Sequence, residues 1–326
     1  MSKPRVLICG SLRFAYADLA KLQEKYEIEH MTSKSREEFF EDCKGKYEGI
    51  SVIYRHPDSQ RHTGPFNKEL IDHLPKSLKF VCLNGAGYDA IDVNAAAERG
   101  IYMSNTPGAV DAGTADITVI LLLMACRNIR QSMDALRDGR WNNGVSMGRN
   151  PEGKVLGILG MGGIGKAVAE RLAGFGMTIQ YHNRKRVDPE VEKQYNVNYV
   201  DFDTLLTTSD IISLNLPLNK NTRHIISTKE FAKMKDGVII INTARGAVID
   251  ETALVKAMEA GKEPKIHPGL LQHPQAILLP HIGTNTKESQ LDMEQLTLSN
   301  VDACLSSGNL ITPVAEHKKF FPSSRL

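Results

Sequence analysis

Short β-branched runs alternate with charged stretches of helical period along almost the whole chain, and this alternation limits the fold more than any other feature. Val6–Ile8, Ile50–Tyr54 and Phe80–Leu83 read as buried strands, and Arg36–Cys43 and Asn67–Leu74 between them as helices. Strands that are apolar almost without interruption belong in a parallel sheet covered on both faces. Ile101–Met103 leads into Asn105-Thr106-Pro107-Gly108, a breaker cluster that marks a boundary. A helix over about Asp111–Ile129 follows, then a polar stretch with the only tryptophan, Trp141. A second alternating series starts at Lys154. Its expected strands are Val155–Leu159, Thr178–Tyr181, Ile211–Leu216, Val238–Ile241 and Ala276–Leu279, and its helices include Ile164–Phe175 and Glu251–Ala260. A last helix, roughly Thr286–Leu305, has the length to cross back to the first domain. Two α/β domains, the second inserted into the first, are therefore expected, with 1–105 and 287–326 in one and 106–286 in the other.

Composition closes off several function classes. Lys+Arg 40 against Asp+Glu 38 leaves a net charge of +2 with no basic block, so nucleic acid is not an expected partner. The most apolar run, Ile117–Cys126, is far shorter than the ~18–20 residues that cross a bilayer, and nothing at the N-terminus reads as a signal peptide. Thr118 interrupts that run, which reads as a buried helix. Five scattered cysteines without a C-x-x-C pair point to a reducing compartment, with neither a disulfide framework nor a metal site.

Gly160-Met161-Gly162-Gly163-Ile164-Gly165 fits G-x-G-x-x-G, directly after an expected strand and opening an expected helix. Such glycines permit a tight turn, close approach of a pyrophosphate and close helix–strand packing, while the helix N-terminus offers free N–H groups to the anion. About 20 positions further on, a carboxylate normally holds the ribose hydroxyls of NAD. The chain instead reads Tyr181-His182-Asn183-Arg184-Lys185-Arg186. A carboxylate would repel a 2′-phosphate and a guanidinium can fork onto it, which favours NADP, with NAD still open.

Asn84-Gly85-Ala86-Gly87-Tyr88-Asp89, Asn105–Gly108, the Gly160–Gly165 loop, Asn242-Thr243-Ala244-Arg245-Gly246 and Pro280-His281-Ile282-Gly283-Thr284 occur in this order. With these motifs the chain resembles the D-isomer-specific 2-hydroxyacid dehydrogenases, and within them the glyoxylate/hydroxypyruvate reductase group. The resemblance spans nearly the whole chain. It implies two doubly wound parallel-sheet domains, a Rossmann NAD(P) domain inserted into a flavodoxin-like substrate domain, and commonly a homodimer. It implies a catalytic set of Arg245, Glu263 and His281 acting on a small 2-keto acid. The residue types suit that chemistry: reduction of a ketone leaves an alkoxide that a histidine can protonate, a carboxylate orients that histidine, and an arginine grips the substrate carboxylate. It further implies that backbone N–H groups of Gly85, Ala86 and Gly87 hold the carboxylate. By the same resemblance the cofactor is flanked by Thr114, Asn183, Arg184, Lys185, Pro217, Thr243, Ala244, Arg245, His281 and Gly283, besides Gly160, Gly162, Gly163, Ile164 and Gly165.

The chain departs from the family pattern at one place. Where the family carries a Gly-rich strand with an aspartate, Lys262 here runs straight into Glu263. Pro264–Gln275 provides slack for the strand expected at Ala276–Leu279 to take the vacant place, which would carry His281 with it. Two readings stay open on the sequence: an NADPH-dependent reductase, or an NAD(P)-binding protein without turnover. Ser324-Arg325-Leu326 is close to the Ser-Lys-Leu address read by the peroxisomal import receptor, so peroxisome and cytoplasm are the expected locations.

Overall fold

The computed structural model describes residues 3–258 and 268–321. They divide into two units, one taking the chain up to Val110 and again from Asn285, the other Asp111–Thr284. Glu263 and Ser324-Arg325-Leu326, which the sequence singles out, lie outside the described residues.

The first unit holds β1 (Arg5–Cys9), β2 (Glu27–His30), β3 (Ile50–Arg55), β4 (Phe80–Leu83) and β5 (Tyr102–Ser104) in the order β2-β1-β3-β4-β5, all parallel. Alternate side chains leave the sheet on opposite faces. Leu7, Ile53 and Val81 pack with Phe39 and Leu70 on one side, while Ile8, Tyr54 and Cys82 pack with Leu298 and Val301 on the other. Those last two residues belong to the helix Lys287–Ser307, which starts at a Thr286 cap and lies across β3 and β4.

The second unit holds β6 (Val155–Leu159), β7 (Thr178–His182), β8 (Asn198–Tyr199), β9 (Ile211–Leu214) and β10 (Ile239–Asn242), in the parallel order β10-β9-β6-β7-β8. Two expectations fail here. The helix read over Asp111–Ile129 ends at Cys126, because Asn128 takes a left-handed backbone (φ 50) and a second helix, Ile129–Arg137, leaves at a 65° bend. Ala276–Leu279 is not a strand. Its backbone is held from outside the sheet: Arg130 donates to the carbonyls of His273 (3.2 Å) and Ala276 (2.5 Å). The segment has therefore not moved in beside β10, which has only β9 as a neighbour among the described residues.

All five cysteines are free and buried. Among the described residues no single helix is long and apolar enough to cross a membrane.

Candidate active site

At the C-terminal end of β6 the chain turns through Gly160 (φ +102) into the helix Gly163–Leu172. Two of the loop's four glycines are required by backbone atoms, and a third faces a side chain. A Cβ on Gly160 would lie 2.6 Å from the Asn215 carbonyl oxygen, one on Gly163 1.9 Å from Asp111 Oδ2, and one on Gly165 2.3 Å from the Gly160 carbonyl oxygen. Gly162 differs, since a Cβ there meets nothing within 4 Å. Open space at a glycine, directly before a helix N-terminus with no side-chain cap, is what close approach of a diphosphate needs. The loop fits a dinucleotide.

The end of β7 is tied to this loop, because Asn183 Oδ1 accepts the Met161 N–H at 2.8 Å. That makes Asn183 a brace for the cradle. The basic run beyond it divides. Arg186 forks onto Glu192 (Nε 2.7 Å, Nη2 2.6 Å), and this pairing, with the Tyr181 hydroxyl, holds the Glu192 carboxyl down at about 2. Arg184 and Lys185 are exposed, and among the described residues their side chains have no hydrogen-bond or ion-pair partner. Two cations thus remain for a ligand where the sequence offered three.

The helix Asp111–Cys126 organises the rest of this unit's site. Asp111, Thr114 and Thr118 fall at i, i+3 and i+7, hence on one helix face. Asp111 abuts Gly163 of the cradle, and burial pushes its carboxyl above the ordinary carboxylate range. Thr114 sits against Gly283, where a Cβ would come within 3.0 Å of Thr114 Oγ1. Thr118 Oγ1 donates its single proton to the Thr114 carbonyl (3.0 Å) and so accepts from the Thr243 hydroxyl (3.0 Å). Thr243 lies two residues before Arg245, and Gly283 two residues after His281. One helix face thus seats the cradle and the two segments that carry Arg245 and His281.

The Arg245 segment is a clamped turn after β10. Asn242 Oδ1 accepts the Ala244 N–H (3.0 Å), while Asn242 Nδ2 donates to the Arg245 carbonyl (2.8 Å). Arg245 is half-buried and His281 is exposed. Pro217 is exposed beyond the end of β9, its carbonyl accepting from the Thr222 hydroxyl at 2.6 Å.

In the first unit, Gly85, Ala86 and Gly87 follow β4. One expectation about them needs correction. The Gly85 N–H is already donated to Thr106 Oγ1 at 3.0 Å, and Thr106 returns its own N–H to the Gly85 carbonyl at 3.1 Å. Thr106 is fully buried. Gly85 therefore shapes the loop, and Ala86 and Gly87 are the amides with no acceptor among the described residues. Asn105 Nδ2 holds the Ala86 carbonyl at 2.7 Å, which fixes the direction of that peptide plane.

Sequence reading missed Thr106, Thr118 and Arg130 as supports. Thr118 carried a signal, since a hydroxyl inside an apolar helical run must find a partner. Thr106 and Arg130 carried none, because their partners are 21 and 146 residues away at the farthest.

The family model for the NAD-binding domain of D-isomer specific 2-hydroxyacid dehydrogenases matches residues 119–283. The 4-methyl-2-oxopentanoate reductase A of Aspergillus oryzae is 48% identical over 330 residues, covering 98% of this chain and 100% of that protein. The chain belongs to the D-isomer specific 2-hydroxyacid dehydrogenase family. The crystal structure of a glyoxylate reductase from Paecilomyes thermophila is similar throughout, with TM-score 0.92 and 49% identity over 97% of this chain and 100% of that one. An NADPH-dependent glyoxylate/hydroxypyruvate reductase of Sinorhizobium meliloti, solved with NADP and malonate, has TM-score 0.81 and 28% identity over 97% of this chain and 98% of its own. As a member of this dehydrogenase family the protein is an NAD(P)-dependent oxidoreductase with a nicotinamide dinucleotide as cofactor. The reading as a binding protein without turnover is not favoured.

Proposed function

We propose that the protein reduces a small 2-keto acid, glyoxylate or hydroxypyruvate among the candidates, to the D-2-hydroxy acid with NADPH preferred over NADH. The observation that carries this reading is the seating of the Arg245 and His281 segments on the same helix face that abuts the glycine cradle. The bound nicotinamide supplies the hydride. Arg245 grips the substrate carboxylate through paired donors and polarises the ketone. His281 gives its proton to the oxygen of the reduced carbonyl. The preference for NADPH rests on Arg184 and Lys185, two exposed cations in a run without the usual carboxylate.

The test is oxidation of NADPH and NADH by purified protein with glyoxylate, hydroxypyruvate and 4-methyl-2-oxopentanoate in turn. Turnover should be faster with NADPH, fall by about 100-fold or more in His281→Ala, and show about a tenfold higher KM for NADPH alone in Arg184→Ser. Absence of turnover with every keto acid would sink the proposal.

We also propose a homodimer formed through the second unit. Ile129, Met133 and Leu136 share one face of their helix at i, i+4 and i+7, and all three are exposed, as are Trp141 and Met147 beyond it. Met133→Glu should shift the protein to monomer on size-exclusion chromatography with light scattering; a wild-type monomer would refute the assignment.

A further inference from the structure

In the β2-β1-β3-β4-β5 sheet the chain leaves in opposite directions after β1 and after β3. Open parallel sheets form a ligand crevice outside the carboxyl ends of their strands where the order reverses in this way. Here the place is a cleft of about 540 Å³, lined by Gly10 and Ser11 after β1, Lys34 beyond β2, and Asp58, Arg61 and His62 after β3. The Gly85–Gly87 loop follows β4 and does not line it.

The charges in this cleft do not cancel. Asp58 is its carboxylate, and that group is already matched: it accepts from the Ser11 N–H (3.1 Å) and the Ser11 hydroxyl, and it faces His56 Nδ1 (2.7 Å) and the Arg13 guanidinium (3.7 Å). Gly10 makes this possible, since at φ +98 a Cβ there would fall 2.2 Å from Asp58 Oδ1. The cations are not matched. Among the described residues neither the Arg61 guanidinium nor the Lys34 ammonium has a hydrogen-bond or ion-pair partner. His62 donates Nδ1–H to the Lys34 carbonyl at 2.9 Å, which fixes the ring beside them and leaves Nε2 uncommitted. The neighbouring Arg36 shows the contrast, with its guanidinium bound to Asn67, Glu69 and two carbonyls.

We propose that this cleft is a second ligand site, distinct from the Gly85–Gly87 loop, for a small anion carrying two or more negative charges. The Arg61 fork and the Lys34 point charge hold its oxygens, while Asp58, locked by Ser11 and His56, forms a rigid floor. A phosphate ester and a di- or tricarboxylate share this chemistry.

The test is isothermal titration of the full chain with inorganic phosphate and with citrate, at low ionic strength and with NADP and oxamate saturating so that the dehydrogenase centre is filled. One site should be seen for at least one anion. Its Kd should rise about tenfold or more in Arg61→Ala/Lys34→Ala, rise less in the charge-conserving Arg61→Lys, which keeps the cation and loses the fork, and stay unchanged in His281→Ala. Tighter binding of phosphate assigns a phosphate ester, and tighter binding of citrate a polycarboxylate. No heat with either anion, or binding that survives the double alanine variant, overturns the proposal.

Discussion

A single methyl group separates the glycines that the fold needs from the one that a ligand needs. Gly165→Ala would drive a Cβ into the Gly160 carbonyl, 2.3 Å away in the present backbone, so the loop must shift and the variant should lose about 1–3 kcal/mol of stability. Gly162→Ala meets empty space and should melt within a few degrees of wild type, yet bind NADPH at least tenfold more weakly. Thermal melting and cofactor titration on the two variants check this, and equal melting losses would refute it. The pair also shows what a sequence yields at this scale. Spacing reveals that Gly160, Gly162 and Gly165 form a cradle, because the motif is local in the chain. It does not reveal that Gly163 answers to Asp111, or that Gly85 spends its N–H on Thr106, because those partners arrive from far along the chain.

Elements carry the same division. β1, β3, β4, β6, β7 and β9 are legible as apolar runs, since each is buried between neighbours. β2 reads Glu-Ile-Glu-His and is an edge strand whose residues are exposed or half-buried, so no hydrophobic pattern announces it. Ala276–Leu279 fails in the opposite sense: it has the composition of a strand, but a strand exists only by pairing, and Arg130 holds its backbone elsewhere. Helix capping extends the point. The helix Tyr16–Lys25 starts at Ala15, which offers no capping side chain. Glu294, buried in the distant helix Lys287–Ser307, instead clamps the turn that leads into it by accepting the N–H groups of Arg13, Phe14 and Ala15, each at 2.8 Å. Glu294→Ala leaves three amides without an acceptor and should cost about 3 kcal/mol, with Glu294→Gln losing less. Urea unfolding followed by circular dichroism tests it, and an unchanged midpoint would show that the clamp is idle.

At the scale of the molecule, the returning C-terminal segment closes the first unit through His317. This ring is fully buried, accepts the Met103 N–H at Nδ1 (3.0 Å) and donates Nε2–H to the Val93 carbonyl (2.8 Å), so it is neutral with one fixed tautomer. Burial lowers its pKa below the ordinary 6.5. The unfolded chain therefore takes up the proton first, and His317 contributes its full stability above about pH 6.5, losing it as the pH falls towards the folded value. The melting temperature should drop between about pH 7 and pH 5, and His317→Gln, which keeps a donor and an acceptor but cannot titrate, should flatten that part of the slope. An identical slope would assign the acid sensitivity to other groups. The second unit begins at Asp111 and ends at Thr284, and its Thr114 touches its Gly283. Entrance and exit are thus tied together inside the inserted unit itself, and the same opening helix abuts the cradle through Asp111. Such an insert is a cassette: the helix that opens it meets both the cradle and the closing segment, and the unit is suited to transplantation between hosts as one piece.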